Sequence, residues 1–162
     1  GQYFPKAFSV AKKVRTDTAI GENPVSVAYA AAPFNEQAVQ AVMGSLDLLI
    51  LNAVEAEQLH QATGHSPAQL PVRDIIVTLG AEGCLWYGIK GQQQFEAIAV
   101  EPVDTTGAGD TFTGYVLAGL DRGMPMAQAI SLGIKAAGLM VTRLGTADVI
   151  PDLKDLQDAQ LI

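Results

Sequence analysis

The order of apolar and polar positions along the chain predicts strands and helices that alternate for most of its length. Two short apolar runs, residues 46–51 and 74–79, predict buried strands. Residues 83–87 and 95–100 are expected to pair as antiparallel strands joined by the polar segment 88–94. Apolar residues that recur every three or four positions predict helices at residues 53–63, 108–121, 125–142 and 152–159. This alternation favours an α/β sandwich with a largely parallel sheet.

The N-terminal part of the chain has a less regular pattern. Apolar positions in residues 4–15 recur at helical spacing and predict a helix. Residues 16–24 are polar and predict a loop. Residues 25–32 are apolar and fit either a strand or a helix, whereas residues 35–43 predict a helix capped by Asn35.

Composition narrows the class of protein. The chain has 162 residues, enough for one domain, and its 49% hydrophobic content provides material for a core. The net charge of −7 argues against a nucleic-acid-binding surface, which needs clustered Lys and Arg. The single cysteine, Cys84, excludes an internal disulfide and is expected in the core. No stretch approaches the ~20 apolar residues of a membrane helix, and no signal peptide is visible, so we expect a cytoplasmic protein.

The most informative positions are residues 103–110, Val-Asp-Thr-Thr-Gly-Ala-Gly-Asp, which stand between a strand-like and a helix-like run. Gly107 and Gly109 let the backbone turn sharply and approach a ligand closely. The N–H groups at the start of the following helix favour an anion, typically a phosphate. Asp110 at the same turn suits taking a proton from a hydroxyl while a phosphoryl group arrives. The alternative is a Gly-rich turn in which Asp110 caps the helix.

The wider run Asp104-Thr105-Thr106-Gly107-Ala108-Gly109-Asp110-Thr111-Phe112 resembles the signature of the ribokinase-like (PfkB) family of carbohydrate kinases. Residues 51–57, 77–83 and 141–147 resemble other segments of that family, in the same order. The resemblance covers residues 33–162, the C-terminal half of such a kinase. It implies a ribokinase-like three-layer α/β sandwich, incomplete at its N-terminal side, and transfer of the ATP γ-phosphoryl group to a sugar hydroxyl.

The resemblance also implies roles for individual residues. Asp110 would be the catalytic base, and the backbone N–H groups of the catalytic turn, Gly107, Ala108 and Gly109, would stabilise charge on the moving phosphoryl group. The residues implied in nucleotide binding are Thr78, Gly80, Gly83 and Thr105. Without the resemblance, residues 78–83 indicate a plain turn between two strands.

Two pairs of oxygen-bearing side chains are candidate metal ligands. Asn52 and Glu55 are three positions apart, which places them on one face of a helix, and by the resemblance they organise Mg²⁺ near the phosphates. Asp104 and Thr106 match positions that help to bind K⁺ in monovalent-cation-dependent members, together with residues 143–145. The alternatives are a helix capping box for the first pair and hydrogen bonds to loop backbone groups for the second.

The expected strand ends give support that does not depend on the resemblance. Parallel sheets bind ligands at the carboxyl ends of their strands. Asn52, Gly80 and Asp110 each lie at or just after such an end, so we expect them on one edge of the sheet.

Residues 1–32 depart from the kinase pattern. Their runs 8–21 and 25–31 resemble a segment of glutamyl-tRNA reductase, without that enzyme's catalytic cysteine region or nucleotide-binding domain, so no reductase activity is expected. We therefore predict a foreign helical segment at residues 1–32 and a nucleotide-binding half-domain at residues 33–162. The hypotheses for this junction are a natural fusion, a recombined gene, an engineered chimera and an assembly artefact.

The expected partners are ATP and a sugar, with neither nucleic acid nor membrane. An absent sugar-binding half would leave a sheet edge and apolar surface uncovered, which predicts self-association or a complementing chain. Two other classes of function remain open, a non-catalytic ATP-binding module and a structural fusion that binds no ligand.

Overall fold

The computed structural model describes the backbone of residues 8–14 and 25–30 and, in full, residues 46–143 and 150–162. Within these ranges the strands are β1 (Phe8–Val14), β2 (Val25–Ala30), β3 (Leu48–Asn52), β4 (Asp74–Thr78), β5 (Cys84–Gly88) and β6 (Gly91–Phe95). The α-helices of the same ranges are α1 (Ala53–Thr63), α2 (Ala108–Asp121), α3 (Met126–Met140) and α4 (Leu153–Asp158). Not one of these described helices is long and apolar enough to cross a membrane.

The strands form one mixed sheet in chain order, β1-β2-β3-β4-β5-β6. Its middle is parallel, because β3 runs parallel to both β2 and β4. β1 lies antiparallel to β2, and β4, β5 and β6 form an antiparallel meander. The expectation of a largely parallel sheet is therefore wrong for the described strands. The connections after β4 and β5 are too short for the crossover that a parallel neighbour needs.

The sheet and α1 belong to one compact unit. β3 and β4 are the expected buried strands, and α1 ends as expected at Gly64, whose φ of 73° is left-handed and whose N–H donates to the His60 carbonyl. Cys84 is buried, as predicted, and burial raises the pKa of its thiol to about 12. The core of this unit consists of Leu46, Leu49, Leu51, Leu59, Leu70, Val72, Ile75 and Val77.

Helices α2, α3 and α4 belong to a second compact unit with the segment that precedes α2. The buried face of α2 carries Phe112, Val116 and Leu120 at four-residue spacing, as an amphipathic helix requires. α3 approaches this face closely at Gly133, where a Cβ atom would lie 2.9 Å from the Phe112 carbonyl oxygen. α4 packs Leu156 against Leu132 and Ala136 of α3.

Three local predictions need correction or completion. Residues 8–14 form β1 rather than part of a helix, because their backbone pairs with β2 and this tertiary pairing overrides the local apolar spacing. The partner of β5 is the polar segment Gly91–Phe95, not residues 95–100, since a two-residue turn brings Gly88 opposite Gly91. Residues 25–32, left open between strand and helix, contain β2. The helix predicted at residues 35–43 lies outside the described residues.

Candidate functional site

Asn52 and Glu55 meet where β3 passes into α1. The Asn52 Oδ1 atom accepts a hydrogen bond from the Glu55 N–H at 2.7 Å, and the Glu55 carboxylate accepts from the Asn52 N–H at 3.0 Å and from its Nδ2 at 2.9 Å. This reciprocal pattern is a complete capping box. The helix cap, which the sequence offered as the alternative to a magnesium pair, is therefore present.

The capping box uses part of the acceptor capacity of these side chains and leaves part of it open. Each Glu55 carboxylate oxygen already accepts one hydrogen bond, and a carboxylate oxygen has a second lone pair that can accept another, for example from a metal-bound water. Partial burial raises the pKa of Glu55, and the hydrogen bond from the Asn52 backbone opposes that rise. Within the described ranges no cluster of three or more His, Cys, Asp or Glu residues could hold a metal by itself.

The turn after β4 adjoins this capping box through the sheet. Thr78 pairs with Asn52 in the parallel register, and its hydroxyl donates to the Leu51 carbonyl at 3.3 Å. Gly80 and Gly83 both have left-handed backbones, with φ of 60° and 90°, so this short turn requires glycine at both ends. A backbone without side chains at these two points can come close to a ligand.

The start of α2 lacks the side-chain cap that α1 has. Gly107 is its N-cap, with a left-handed φ of 80°, and as a glycine it has no side chain to accept a hydrogen bond from the first turn. Asp110 is the third residue of the helix and is exposed. Asp110 is therefore not the helix N-cap, which was the alternative to its role as a base.

The backbone N–H groups around this turn divide into engaged and open ones. Ala108 donates to the Thr105 carbonyl at 3.2 Å, and Thr111 donates to the Gly107 carbonyl at 3.0 Å. The N–H groups of Gly109 and Asp110 have no hydrogen-bond partner within residues 46–143 and 150–162. They lie at the positive end of a 14-residue helix, where a phosphate oxygen would be favoured.

The loop before α2 is held by the end of α3. The N–H groups of Val103 and Asp104 both donate to the Val141 carbonyl, at 2.7 and 3.1 Å. The Asp104 Oδ1 atom accepts from the Thr106 N–H at 2.9 Å, which is the loop-stabilising alternative to potassium binding. Arg143 donates to Asp155 at 3.4 Å, and residues 144 and 145 of the proposed potassium region lie outside the described residues.

The two groups of candidate residues belong to different units. Asn52, Glu55 and Thr78 lie together beside the sheet, and the run 104–110 lies at the start of α2. That Asn52, Gly80 and Asp110 share one edge stays a prediction.

Sequence reasoning missed Met140, the last residue of α3. Its methyl group lies 3.0 Å from the point where a Gly107 Cβ would stand, and its sulfur accepts a hydrogen bond from Thr111 at 2.7 Å. The sequence carries no signal for this contact, because Met140 looks like any apolar residue at helical spacing.

A family model described as "pfkB family carbohydrate kinase" matches residues 6–153. The chain is 29% identical to ribokinase of Lactococcus lactis over 137 residues, 84% of this chain and 45% of that protein. It superposes with a TM-score of 0.74 on a ribokinase of Cryptococcus neoformans in complex with ADP, at 26% identity over 83% of this chain and 51% of that one. An Arabidopsis thaliana ribokinase complexed with ribose and ATP gives a TM-score of 0.64 at 28% identity, over 72% of this chain and 41% of that one. The chain thus has a ribokinase-like α/β fold and spans about half the length of these relatives.

A separate match connects the chain to glutamyl-tRNA reductase. The enzyme of Pseudomonas putida is 48% identical over 66 residues, which are 38% of this chain and 15% of that protein. The kinase family model begins at residue 6, so it also covers most of the segment for which a foreign origin is predicted.

Proposed function

We propose, since the chain belongs to the pfkB family of carbohydrate kinases, that the start of α2 binds ATP phosphate and serves phosphoryl transfer to a sugar hydroxyl. The observation that carries this proposal is the open helix start at Gly107, Gly109 and Asp110. It combines two N–H groups without a partner among the described residues, a glycine N-cap and an exposed carboxylate. A phosphate needs the donors, and a hydroxyl nucleophile needs the base.

The chemistry assigned to these groups is a single displacement. The sugar hydroxyl oxygen bonds to the γ-phosphorus while the bond from that phosphorus to the β-bridging oxygen breaks, and ADP leaves. Asp110 takes the hydroxyl proton. The N–H groups of Gly109 and Asp110 stabilise the negative charge of the moving phosphoryl group. The Gly107 N–H is proposed to do the same. The Ala108 N–H would first have to leave the Thr105 carbonyl.

The remaining candidates support nucleotide and metal binding in this proposal. Thr78, Gly80, Gly83 and Thr105 line the nucleotide. Asn52 and Glu55 hold Mg²⁺ through its waters, since the capping box occupies part of their acceptor capacity. Magnesium supplies charge neutralisation on the phosphates. Asp104 and Thr106 are the proposed potassium ligands.

Two further proposals concern the sugar that accepts the phosphoryl group and the partner of this chain. A ribokinase relative carries ribose and ATP, so a ribose-like sugar is the first acceptor to test. This chain spans about half the length of its relatives, and a complementing chain or a second copy stays a proposed partner. The second candidate function is a module that binds ATP without transferring phosphate, since the N–H groups at the start of α2 favour a phosphate whether or not an acceptor is bound.

Calorimetry with Mg·ATP tests the proposal directly. The unmutated chain and Asp110→Ala should bind, because removing the carboxylate removes a like charge beside the phosphates. Gly109→Ala should bind Mg·ATP much more weakly than the unmutated chain. Gly114→Ala, at another exposed glycine of α2 with no atom of the described residues within 4 Å of its Cβ, should bind as tightly. Absence of binding to the folded unmutated chain would overturn the proposal. Sugar-dependent ADP production would then separate the kinase from the binding module.

A further inference from the structure

The C-terminal end of α3 contacts the catalytic turn at several points. Met140 is buried, with 1% of its surface exposed, and its methyl group lies 3.0 Å from the position of a Cβ on Gly107. The next residue, Val141, accepts the N–H groups of Val103 and Asp104 through its carbonyl. The last residue of α3 and its C-cap, Met140 and Val141, therefore contact both the loop that leads into the turn and the turn itself.

The Met140 sulfur is also the hydrogen-bond acceptor of a buried hydroxyl. Thr111 is 4% exposed, and its Oγ1 donates to the Met140 Sδ at 2.7 Å. A buried hydroxyl without a partner is costly, so this bond fixes the first turn of α2 against the end of α3. Methionine suits this position because its flexible apolar side chain fills the space and its sulfur is a weak hydrogen-bond acceptor.

We propose that Met140 is a positioning residue for the phosphate-binding turn. Its methyl group fills the space beside Gly107 where a Cβ would stand, and its sulfur accepts the hydrogen bond from Thr111, so Met140 borders the turn at both ends. The residues between these two points, Ala108 to Asp110, include both open N–H groups. Their convergence on one phosphate then depends on Met140. This inference rests on the proposed function of the turn.

Four variants separate positioning from general packing. Met140→Ala removes both the filler and the acceptor, and Met140→Leu removes the acceptor while it keeps most of the apolar volume. Met140→Leu combined with Thr111→Val removes the acceptor and the hydroxyl that needs it. Leu156→Ala is the control, because it deletes a fully buried side chain of the same unit that packs on Leu132 and Ala136.

Two measurements are made on each variant. One is the dissociation constant of Mg·ADP by calorimetry. The other is amide hydrogen exchange at Thr106, Ala108 and Thr111, whose N–H groups are bonded within the turn. Exchange reports the order of the turn whether or not a nucleotide binds.

Met140→Ala should weaken Mg·ADP binding on the order of tenfold or more, the loss expected when hydrogen bonds to a charged oxygen are misplaced. It should also speed exchange at the three amides. Met140→Leu should have a smaller effect that the added Thr111→Val reverses. Leu156→Ala should lower the unfolding temperature without changing either readout. The proposal is overturned if Leu156→Ala weakens binding as much as Met140→Ala, or if Met140→Ala leaves exchange at the three amides unchanged. Failure of the unmutated chain to bind Mg·ADP would sink the proposed function alone, and exchange would still decide the role of Met140.

Discussion

Helices α1 and α2 begin in opposite ways. At α1 the side chains of Asn52 and Glu55 exchange hydrogen bonds with each other's backbone, and α4 repeats this arrangement with Asp152 and Asp155. At α2 the N-cap is Gly107, which has no side chain to accept from the first turn. The first N–H groups of any helix need partners. Among the described helices, side chains supply such partners at α1 and α4, whereas the N-caps of α2 and α3, Gly107 and Pro125, supply none.

The open start of α2 is compensated by packing along the rest of the helix. Phe112 and Val116 meet α3 at Gly133, where the helices come close enough that a Cβ would clash. Thr111, immediately after the first turn, is tied to Met140. A helix secured this way does not need a cap for stability, so its N–H groups can serve a ligand.

The largest expected effect is on ligand binding by Gly109→Ala. A methyl group at Gly109 meets no atom of the described residues within 4 Å, and we expect it to hinder the approach of a phosphate to the neighbouring N–H groups. We expect Mg·ADP to bind roughly 10- to 100-fold more weakly, the loss of one or two hydrogen bonds to a charged group. The helix itself should gain up to about 1 kcal/mol, since alanine is the better helix former.

Gly114→Ala is the matched control for that variant. It lies in the same helix, is equally exposed and has the same open surroundings. Calorimetry and urea unfolding on both variants should show the same stabilisation and a change in affinity only for Gly109→Ala. Equal affinities would mean that the start of α2 is merely uncapped.

The next effect in size is the loss of stability in Gly107→Ala. The left-handed φ of 80° disfavours any Cβ by ~1–2 kcal/mol. Contact with the Met140 methyl at 3.0 Å adds to that cost. Gly64→Ala, at the end of α1, has a similar φ of 73° with nothing within 4 Å, so it measures the backbone cost alone. Chemical unfolding should show a larger loss of unfolding free energy for Gly107→Ala than for Gly64→Ala. Equal losses would show that contact with Met140 adds no cost.

A smaller loss is expected when the cap of α1 is removed. Asn52→Ala deletes the acceptor of the Glu55 N–H and should lower the unfolding free energy by about 1 kcal/mol. Asn52→Ser keeps an acceptor for the Glu55 N–H without a second carboxylate beside Glu55, and it should retain most of the stability. If Asn52→Ala were instead as stable as the unmutated chain, the pair would not act as a cap and a metal role would gain weight.

The sequence predicts those features of the fold that depend on residues close together in the chain. The sequence predicted the first residue of α2 correctly, because a glycine turn and a helix N-terminus are local features. The buried strands β3 and β4 were predicted for the same reason, from apolar runs that are read directly.

The failures all involve partners distant in the chain or an exposed strand. β1 shows helical spacing but takes its structure from pairing with β2. β6 contains Gln92, Gln93 and Gln94, all exposed, so no apolar pattern marks it as a strand. Met140 meets Thr111 across 29 positions, a contact that no local pattern contains.

The smallest effect concerns pH and distinguishes the two capping boxes. Burial raises the pKa of Glu55 above its ordinary 4.5, whereas the hydrogen bond from the Asp152 backbone, and then that from Arg143, lower the pKa of Asp155 below 3.8. The stability from Asp155 is therefore present above 3.8 and is lost as the pH falls through the folded value. The contribution of Glu55 has the opposite sign, since it is full below 4.5 and is lost as the pH rises through its raised value.

Urea unfolding from about pH 3 to about pH 7 can separate these two contributions by comparing the unmutated chain with Asp155→Asn and Glu55→Gln. The advantage of the unmutated chain over Asp155→Asn should shrink toward acid. Its advantage over Glu55→Gln should shrink toward neutral pH, because only the unmutated chain must ionise a half-buried carboxyl. Both differences moving in the same direction would contradict the assignment. The two boxes share one hydrogen-bond pattern, so opposite slopes would show that burial, not capping, sets the response of Glu55.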